Sequence, residues 1–274
     1  MRKVVGRVKK TVARIVALDM IFLLCILISG SISGAVSEMA YYAAFILPIG
    51  VFLWIRGGEP QLRLSFGIKR TDAALFLPLI PLTVAVTFGL SALFAFLASL
   101  VSIAGAEPLT GSVFTSIILH ALLPAVLEEA LFRYVPLTLI APHSKRSAVI
   151  ISAILFAAAH CDLAQMPYAF AAGVIFAALD LASGSILPSL ILHLVNNTVS
   201  VLWLSQTTST AFRLPFVICL GALVAVSAVL VLILRGRYAE KASFLLNKGD
   251  RIGTAREVWV FFAVCIALAI GALF

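Results

Sequence analysis

This sequence predicts an all-α fold, a polytopic transmembrane helix bundle of eight to nine spans around an intramembrane cavity, and three observations predict it. The 274 residues are 62% hydrophobic and only 12% charged, where a soluble domain carries about 25% charged residues. Mean hydropathy is +1.14. Nine apolar runs, most of them near the roughly 20 residues that cross a bilayer, alternate with short polar loops. Eighteen of the twenty basic residues fall in the N-terminal stretch and in the loops after the second, fourth and eighth runs, all on one side if spans alternate. A large soluble catalytic domain has no room in such a chain.

The first 14 residues carry Arg2, Lys3, Arg7, Lys9, Lys10 and Arg14, interleaved with Val4, Val8, Val12 and Ile15 at helical spacing. That pattern suits an interfacial amphipathic helix on an anionic leaflet. A solvated basic tail and a secretory signal ending near Gly34-Ala35 are the alternatives. Spans are then expected at 15–35 and 38–55, followed by a loop with Arg56, Arg63, Lys69 and Arg70. The run 73–103 is overlong for one straight crossing, and Pro78 and Pro81 predict a kink near its start. The run 112–141 ends at Lys145 and Arg146. Runs 148–161 and 164–182 follow, the first short for a span. Runs 186–204 and 212–234 lead to a loop with Arg235, Arg237, Lys241, Lys248, Arg251 and Arg256, and 257–274 is the last span. Basic residues mark cytoplasmic loops, which places the N-terminus in the cytoplasm. The net charge of +8 is therefore a topology signal. The polar segments lack the aromatic interleaving of single-strand binders, so no nucleic-acid partner is expected. Cys25, Cys161, Cys219 and Cys265 show no CxxC spacing and read as small apolar residues.

Ionisable groups inside a membrane mark function by default. Glu128, Glu129 and Arg133 sit in one such run, and each costs roughly 2.5–3.5 kcal/mol at the bilayer centre. Glu129 and Arg133 are four apart in the favourable ion-pair order, which leaves Glu128 about 100° around the helix and free for another partner. A purely structural charge cluster is the competing reading. His160 closes Phe156-Ala157-Ala158-Ala159-His160, where small residues admit a close neighbour; beside Glu128 it would make a water-activating pair. His193 and Asn197 share a helix face and suit an oxyanion site, or simply interhelical hydrogen bonding. Asn196 points elsewhere, toward packing. His120 is assigned packing or substrate access, and Asp162 and Asp180, near span ends, solvated or capping roles.

In order, the motifs are EExxxR at Glu128–Arg133, FxxxH at Phe156–His160 and HxxxN at His193–Asn197. This ordered triple resembles the type II CAAX prenyl endopeptidase family, grouped with bacteriocin-processing and self-immunity proteins as the CPBP or ABI family of intramembrane glutamate proteases. The resemblance spans roughly residues 110–205. It divides the chain into N-terminal helices (1–110), a catalytic core (111–205) and C-terminal spans with a cytoplasmic loop (206–274), together one structural unit. It implies a helical membrane bundle whose cavity opens to the cytoplasm. It implies that Glu128 and His160 activate water, that His193 and Asn197 hold the oxyanion, and that Glu129 and Arg133 support the site. The simple span placement puts His160 near the outer face instead, so either that boundary is wrong or its helix does not cross fully.

The expected activity is hydrolysis of a peptide bond in a membrane-associated peptide or protein, of CAAX, C-terminal-tail or leader type, without a cofactor. A zinc site on Glu128, His160 and His193 remains open in principle. The alternatives are a non-catalytic scaffold or bacteriocin-immunity factor, and a proton-coupled transporter, which would call for a repeat symmetry that is not visible. The expected partners are that substrate and the lipid bilayer. The expected location is a bacterial or archaeal cytoplasmic membrane. The oligomeric state is not legible.

Overall fold

The computed structural model describes residues 2–30, 35–55, 62–67, 70–100, 112–205, 210–245 and 256–271. They are helical almost throughout, and no strand occurs among them. Helix α1 is Arg2–Gly30, α2 Ala35–Ile55, α3 Arg70–Phe76 and α4 Leu79–Leu100. Helix α5 runs over Val113–Ile140. Helix α6 is Lys145–Ala159, α7 Met166–Ser183, α8 Leu187–Leu204, α9 Thr210–Ile233, α10 Arg235–Ala242 and α11 Arg256–Gly271. Six helical stretches are long and apolar enough to cross a membrane: Lys10–Ser29, Ala73–Leu97, Val113–Ile140, Met166–Ser183, Leu187–Leu204 and Arg213–Ile233. The described residues thus give six candidate spans rather than the expected eight to nine: the run at 38–55 contains the shorter apolar helix Met39–Trp54, and those at 148–161 and 257–274 fall in helices of 15 and 16 residues. The basic N-terminal stretch is continuous with the first span in α1, and Val12 and Ile15 lie in the core.

Helix α5 sits at the centre, packed by α8 and α6 and flanked by α1 and α2. Helix α7 lies against α6, α8 and α4. Helix α11 closes on α6 and α1, while α9 touches the bundle chiefly through α4. Apolar side chains of α1, α2, α5, α6 and α11 form the main core, including Phe22, Phe45, Phe132 and Phe261.

Three local choices position the site. The overlong run breaks at Leu77–Pro78, between α3 and α4, as its prolines predict. Helix α5 carries two wide turns, at Ile118–Leu122 and Ala130–Tyr134, with i→i+5 bonding. Each lies where a proline four residues ahead of a carbonyl removes its usual donor: Pro124 frees His120, and Pro136 frees Phe132. Helix α6, capped by Ser144 through the Ser147 N–H at 3.1 Å, has only 15 residues. It is about 22 Å long, against a hydrocarbon core of about 30 Å.

Segments distant in the chain touch one another. The Leu62 N–H donates to the Thr138 carbonyl at 2.9 Å, Ser65 N–H to Gly184 at 3.0 Å and Ile186 N–H to Ser65 at 3.0 Å. The Tyr238 hydroxyl donates to the Leu75 carbonyl at 2.5 Å, and Lys145 lies 5.6 Å from the Phe244 ring centre. The segments that follow the second, fourth, sixth and eighth runs are thus in contact with one another.

Candidate active site

Side chains of α5, α6 and α8 converge on a cavity of about 950 Å³, and Glu128, His160, His193 and Asn197 all line it. Glu129 and Arg133 lie behind its wall, 1% and 0% exposed. All six residues singled out from the sequence therefore cluster.

The pairing is richer than helix periodicity implies. Arg133 Nε stands 3.6 Å from Glu129 Oε2, the expected i,i+4 ion pair. The other oxygen of Glu129, Oε1, accepts from His193 Nδ1 at 2.8 Å. His193 Nε2 then faces Glu128 Oε2 at 3.6 Å. His193 is held between the two neighbouring carboxylates, and Glu129 is shared between Arg133 and His193.

Arg133 is wholly buried, so its charge needs partners on every side. Its Nη1 donates to the Phe132 carbonyl at 3.1 Å and to Ser152 Oγ at 3.3 Å. Ser152 Oγ itself donates to the Phe132 carbonyl at 2.5 Å. That carbonyl is the one Pro136 leaves without a helical donor, so the break in α5 becomes an attachment point for α6 and for the guanidinium. The guanidinium carbon also lies 4.1 Å over the Phe156 ring, a cation–π contact. The Phe156 ring meets His160 at 4.9 Å and His193 at 5.6 Å, both edge-on. Gly173 of α7 gives the guanidinium its room. A Cβ there would stand 3.0 Å from Ala153 Cα and 3.4 Å from Arg133 Nη2.

His160 follows the last turn of α6, and its Nδ1 donates to the Phe156 carbonyl at 2.8 Å. That bond presents Nε2 as the free ring nitrogen. Cys161, at φ 49°, turns the chain sharply after it, a left-handed conformation that costs a non-glycine residue about 1–2 kcal/mol. Its helix has only 15 residues, and His160 lines the same cavity as Glu128.

Asn197 lines the cavity, with its Oδ1 3.5 Å from Asn196 Nδ2. Asn196 Oδ1 accepts from Thr87 Oγ1 of α4 at 2.5 Å, which is the packing role expected of it. His120 is exposed at one end of the cavity. Asp180 is fully buried and accepts the Ser189 N–H at 3.1 Å, so α7 caps the first turn of α8. Asp162 accepts the Ala164 N–H at 2.7 Å ahead of α7.

Sequence reasoning missed Ser152 and the structural weight of Phe156, Tyr41, Tyr168 and Gln165. The FxxxH spacing signalled Phe156; nothing local signalled the rest. Among the described residues, no three His, Cys, Asp or Glu side chains are grouped to hold a metal ion.

The family model described as Type II CAAX prenyl endopeptidase Rce1-like matches residues 111–199. No curated protein and no solved structure matches the chain. With six apolar helices and a membrane-protease family match, the chain is a multi-pass integral membrane protein.

Proposed function

We propose, from the match of residues 111–199 to the Type II CAAX prenyl endopeptidase Rce1-like family model, that the chain is an intramembrane peptidase that hydrolyses a peptide bond by carboxylate-activated water. The observation that carries this reading is the convergence of Glu128, His160, His193 and Asn197, from three helices, on one cavity.

Glu128 is the general base. It takes a proton from a water molecule while the water oxygen bonds to the scissile carbonyl carbon. The carbonyl electrons move to oxygen, and that oxyanion is met by N–H groups of His193 and Asn197. Collapse breaks the C–N bond, and the amine leaves with the proton that Glu128 received. His160 Nε2 orients the water. General-base help contributes about 10²–10⁴-fold and one oxyanion donor about 10²–10³-fold.

The Glu129–His193 contact adds a requirement. With Nδ1 donating to Glu129, Nε2 can donate to the substrate only when His193 carries both protons. Glu129 is therefore a positioning residue for His193, and Arg133 is the counter-charge that keeps Glu129 from being one anion too many.

The proposed partners are a membrane-associated peptide or protein and the surrounding lipid, with no nucleic acid and no cofactor. The deciding experiment is expression of Glu128→Gln in native membranes with mass spectrometry of accumulated peptides. Uncleaved species should appear that wild type lacks. If the variant retains the wild-type phenotype and peptide profile, the protein is a scaffold or immunity factor and the peptidase reading fails. Treatment of purified protein with a chelator should leave cleavage intact; loss restored by zinc would overturn the metal-free mechanism.

A further inference from the structure

His193 can act only if α8 is turned so that Nδ1 meets Glu129 Oε1 at 2.8 Å and Nε2 faces Glu128 Oε2 at 3.6 Å. A slip of α8 by one residue would swing the ring about 100° around the helix, away from both carboxylates. What holds that rotation lies one turn earlier, at the start of the helix. The first N–H groups of a helix find no carbonyl within it. Ser185 and Ser189 are fully buried here, so protein groups must meet them. The N-cap residue, Ile186, offers no capping side chain. Leu187 N–H donates to Ser185 Oγ at 3.1 Å, and Pro188 has no N–H to satisfy. Ser189 N–H donates to Asp180 Oδ1 at 3.1 Å. Ser189 and His193 are four residues apart, on one face of α8.

Asp180 comes from α7, one turn before that helix ends, so the bond ties two helices together. An ordinary cap would stand beside the helix start and leave the rotation of α8 free. Gly173, Phe176 and Asp180 recur at i, i+3 and i+7 along one face of α7, and this face backs the active site. Gly173 gives Arg133 Nη2 its room. The Phe176 ring lies 5.7 Å from that of His193 and 5.9 Å from the Arg133 guanidinium carbon. Asp180 is 0% exposed and lies in the field of Arg133 and Glu129. Burying a carboxylate so deeply is costly. Its Oδ2 has no hydrogen-bond partner among the described residues, so the contact that repays the burial is the one to Ser189.

We propose that Asp180 is a positioning residue of the active site: by holding the Ser189 N–H it sets the rotation of α8 against α7 and so delivers His193 to Glu129. The effect on rate rests on the peptidase reading, whereas the placement of the His193 ring does not. Asp180 lies behind the cavity wall and meets neither water nor substrate. Loss of its bond therefore misplaces an oxyanion donor and leaves the substrate-lined surface intact. The kinetic signature is a fall in kcat with KM little changed. A displacement of about 1 Å that originates away from the chemistry can cost about 10²-fold.

Two variants of the full chain separate the bond from the charge. Asp180→Leu removes the acceptor, and Asp180→Asn keeps an oxygen in its place without the charge. On the peptide that accumulates in Glu128→Gln membranes, Asp180→Leu should lose about 10–100-fold in kcat, and Asp180→Asn should recover most of that loss. A second readout is independent of cleavage. In protein carrying isotope-labelled histidine, the His193 Nδ1–H resonance is assigned by its absence in His193→Gln. It should keep its downfield, slowly exchanging character in wild type and Asp180→Asn and lose it in Asp180→Leu. An unmoved resonance in Asp180→Leu, equal losses in the two variants, or a change confined to the unfolding midpoint would each overturn the inference. Where Asp180→Leu does not fold, Asp180→Glu takes its place with the same outcomes, since it carries the acceptor one methylene too far. Wild-type protein that cleaves nothing while the resonance responds as expected refutes the peptidase reading alone. Cleavage with an unmoved resonance refutes the positioning role alone.

Discussion

At the scale of single residues, Glu128 and Glu129 are neighbours with opposite thermodynamic characters. Glu128 contacts only His193 among the ion pairs and faces the cavity, so Glu128→Gln removes a base and little structure. It should abolish cleavage and shift thermal unfolding in detergent by under about 1 kcal/mol, the range of substitutions away from buried networks. Glu129 is the partner of a fully buried guanidinium. Glu129→Gln leaves that charge uncompensated and should cost about 3–5 kcal/mol. Combining it with Arg133→Met should recover much of the stability and none of the activity, read by thermal unfolding and cleavage of the same preparations. Ser152→Ala tests the freed carbonyl of Phe132: with Arg133 Nη1 still bound to it, the loss should be about 1 kcal/mol. The spacing of Glu129 and Arg133 is legible because both lie on one helix. The Glu129–His193 bond is not, because it joins residues 64 positions apart and depends on how α8 is rotated against α5.

At the scale of elements, the site depends on irregular helices. A regular α5 would turn Phe132's carbonyl back into its own ladder. The prolines prevent this, and α6 docks on the result through Ser152. Pro136→Ala returns a backbone N–H to compete for that carbonyl. Cleavage should fall, while helix content by circular dichroism is unchanged. The α6–α7 contact depends on Gly173, where even a Cβ meets Ala153 at 3.0 Å. Gly173→Leu should cost at least the roughly 1–3 kcal/mol of overpacking, seen as a lowered unfolding midpoint, and should displace α7 from Arg133. The sequence shows where Pro124 and Pro136 stand but not that the ladder widens to i→i+5 at both, since a kink or a bound side chain satisfies a proline equally well. The shortness of α6 is legible in the largely apolar run 148–161, between Lys145-Arg146 and Asp162. Its consequence for the depth of His160 required knowing that α6 ends inside the protein.

At the scale of the whole molecule, segments far apart in the chain are tied to one another by backbone bonds. The ties run through the backbone of Ser65, which both donates to Gly184 and accepts from Ile186. Gly184, at φ 69°, ends α7 so that this strand-like contact can form. No pattern in the sequence foretold which of these segments touch. Ser65→Pro deletes the donor to Gly184 and should destabilise the fold by about 1–3 kcal/mol, with protease susceptibility rising first in the loop at 62–67.

The short helix α6 also has an electrical consequence. Residues Ile151–Ala158 are buried in protein, and the helix ends at the cavity, which His160 lines. On the peptidase reading water enters this cavity and carries the potential of the phase it opens to inward, so the transmembrane voltage falls mainly across the packed protein beyond Glu128. A full crossing is worth about 2.3 kcal/mol per elementary charge at 100 mV. A substrate group that stops at the floor of the cavity traverses little of that drop, so turnover should be nearly independent of voltage, measured in proteoliposomes clamped with potassium and valinomycin.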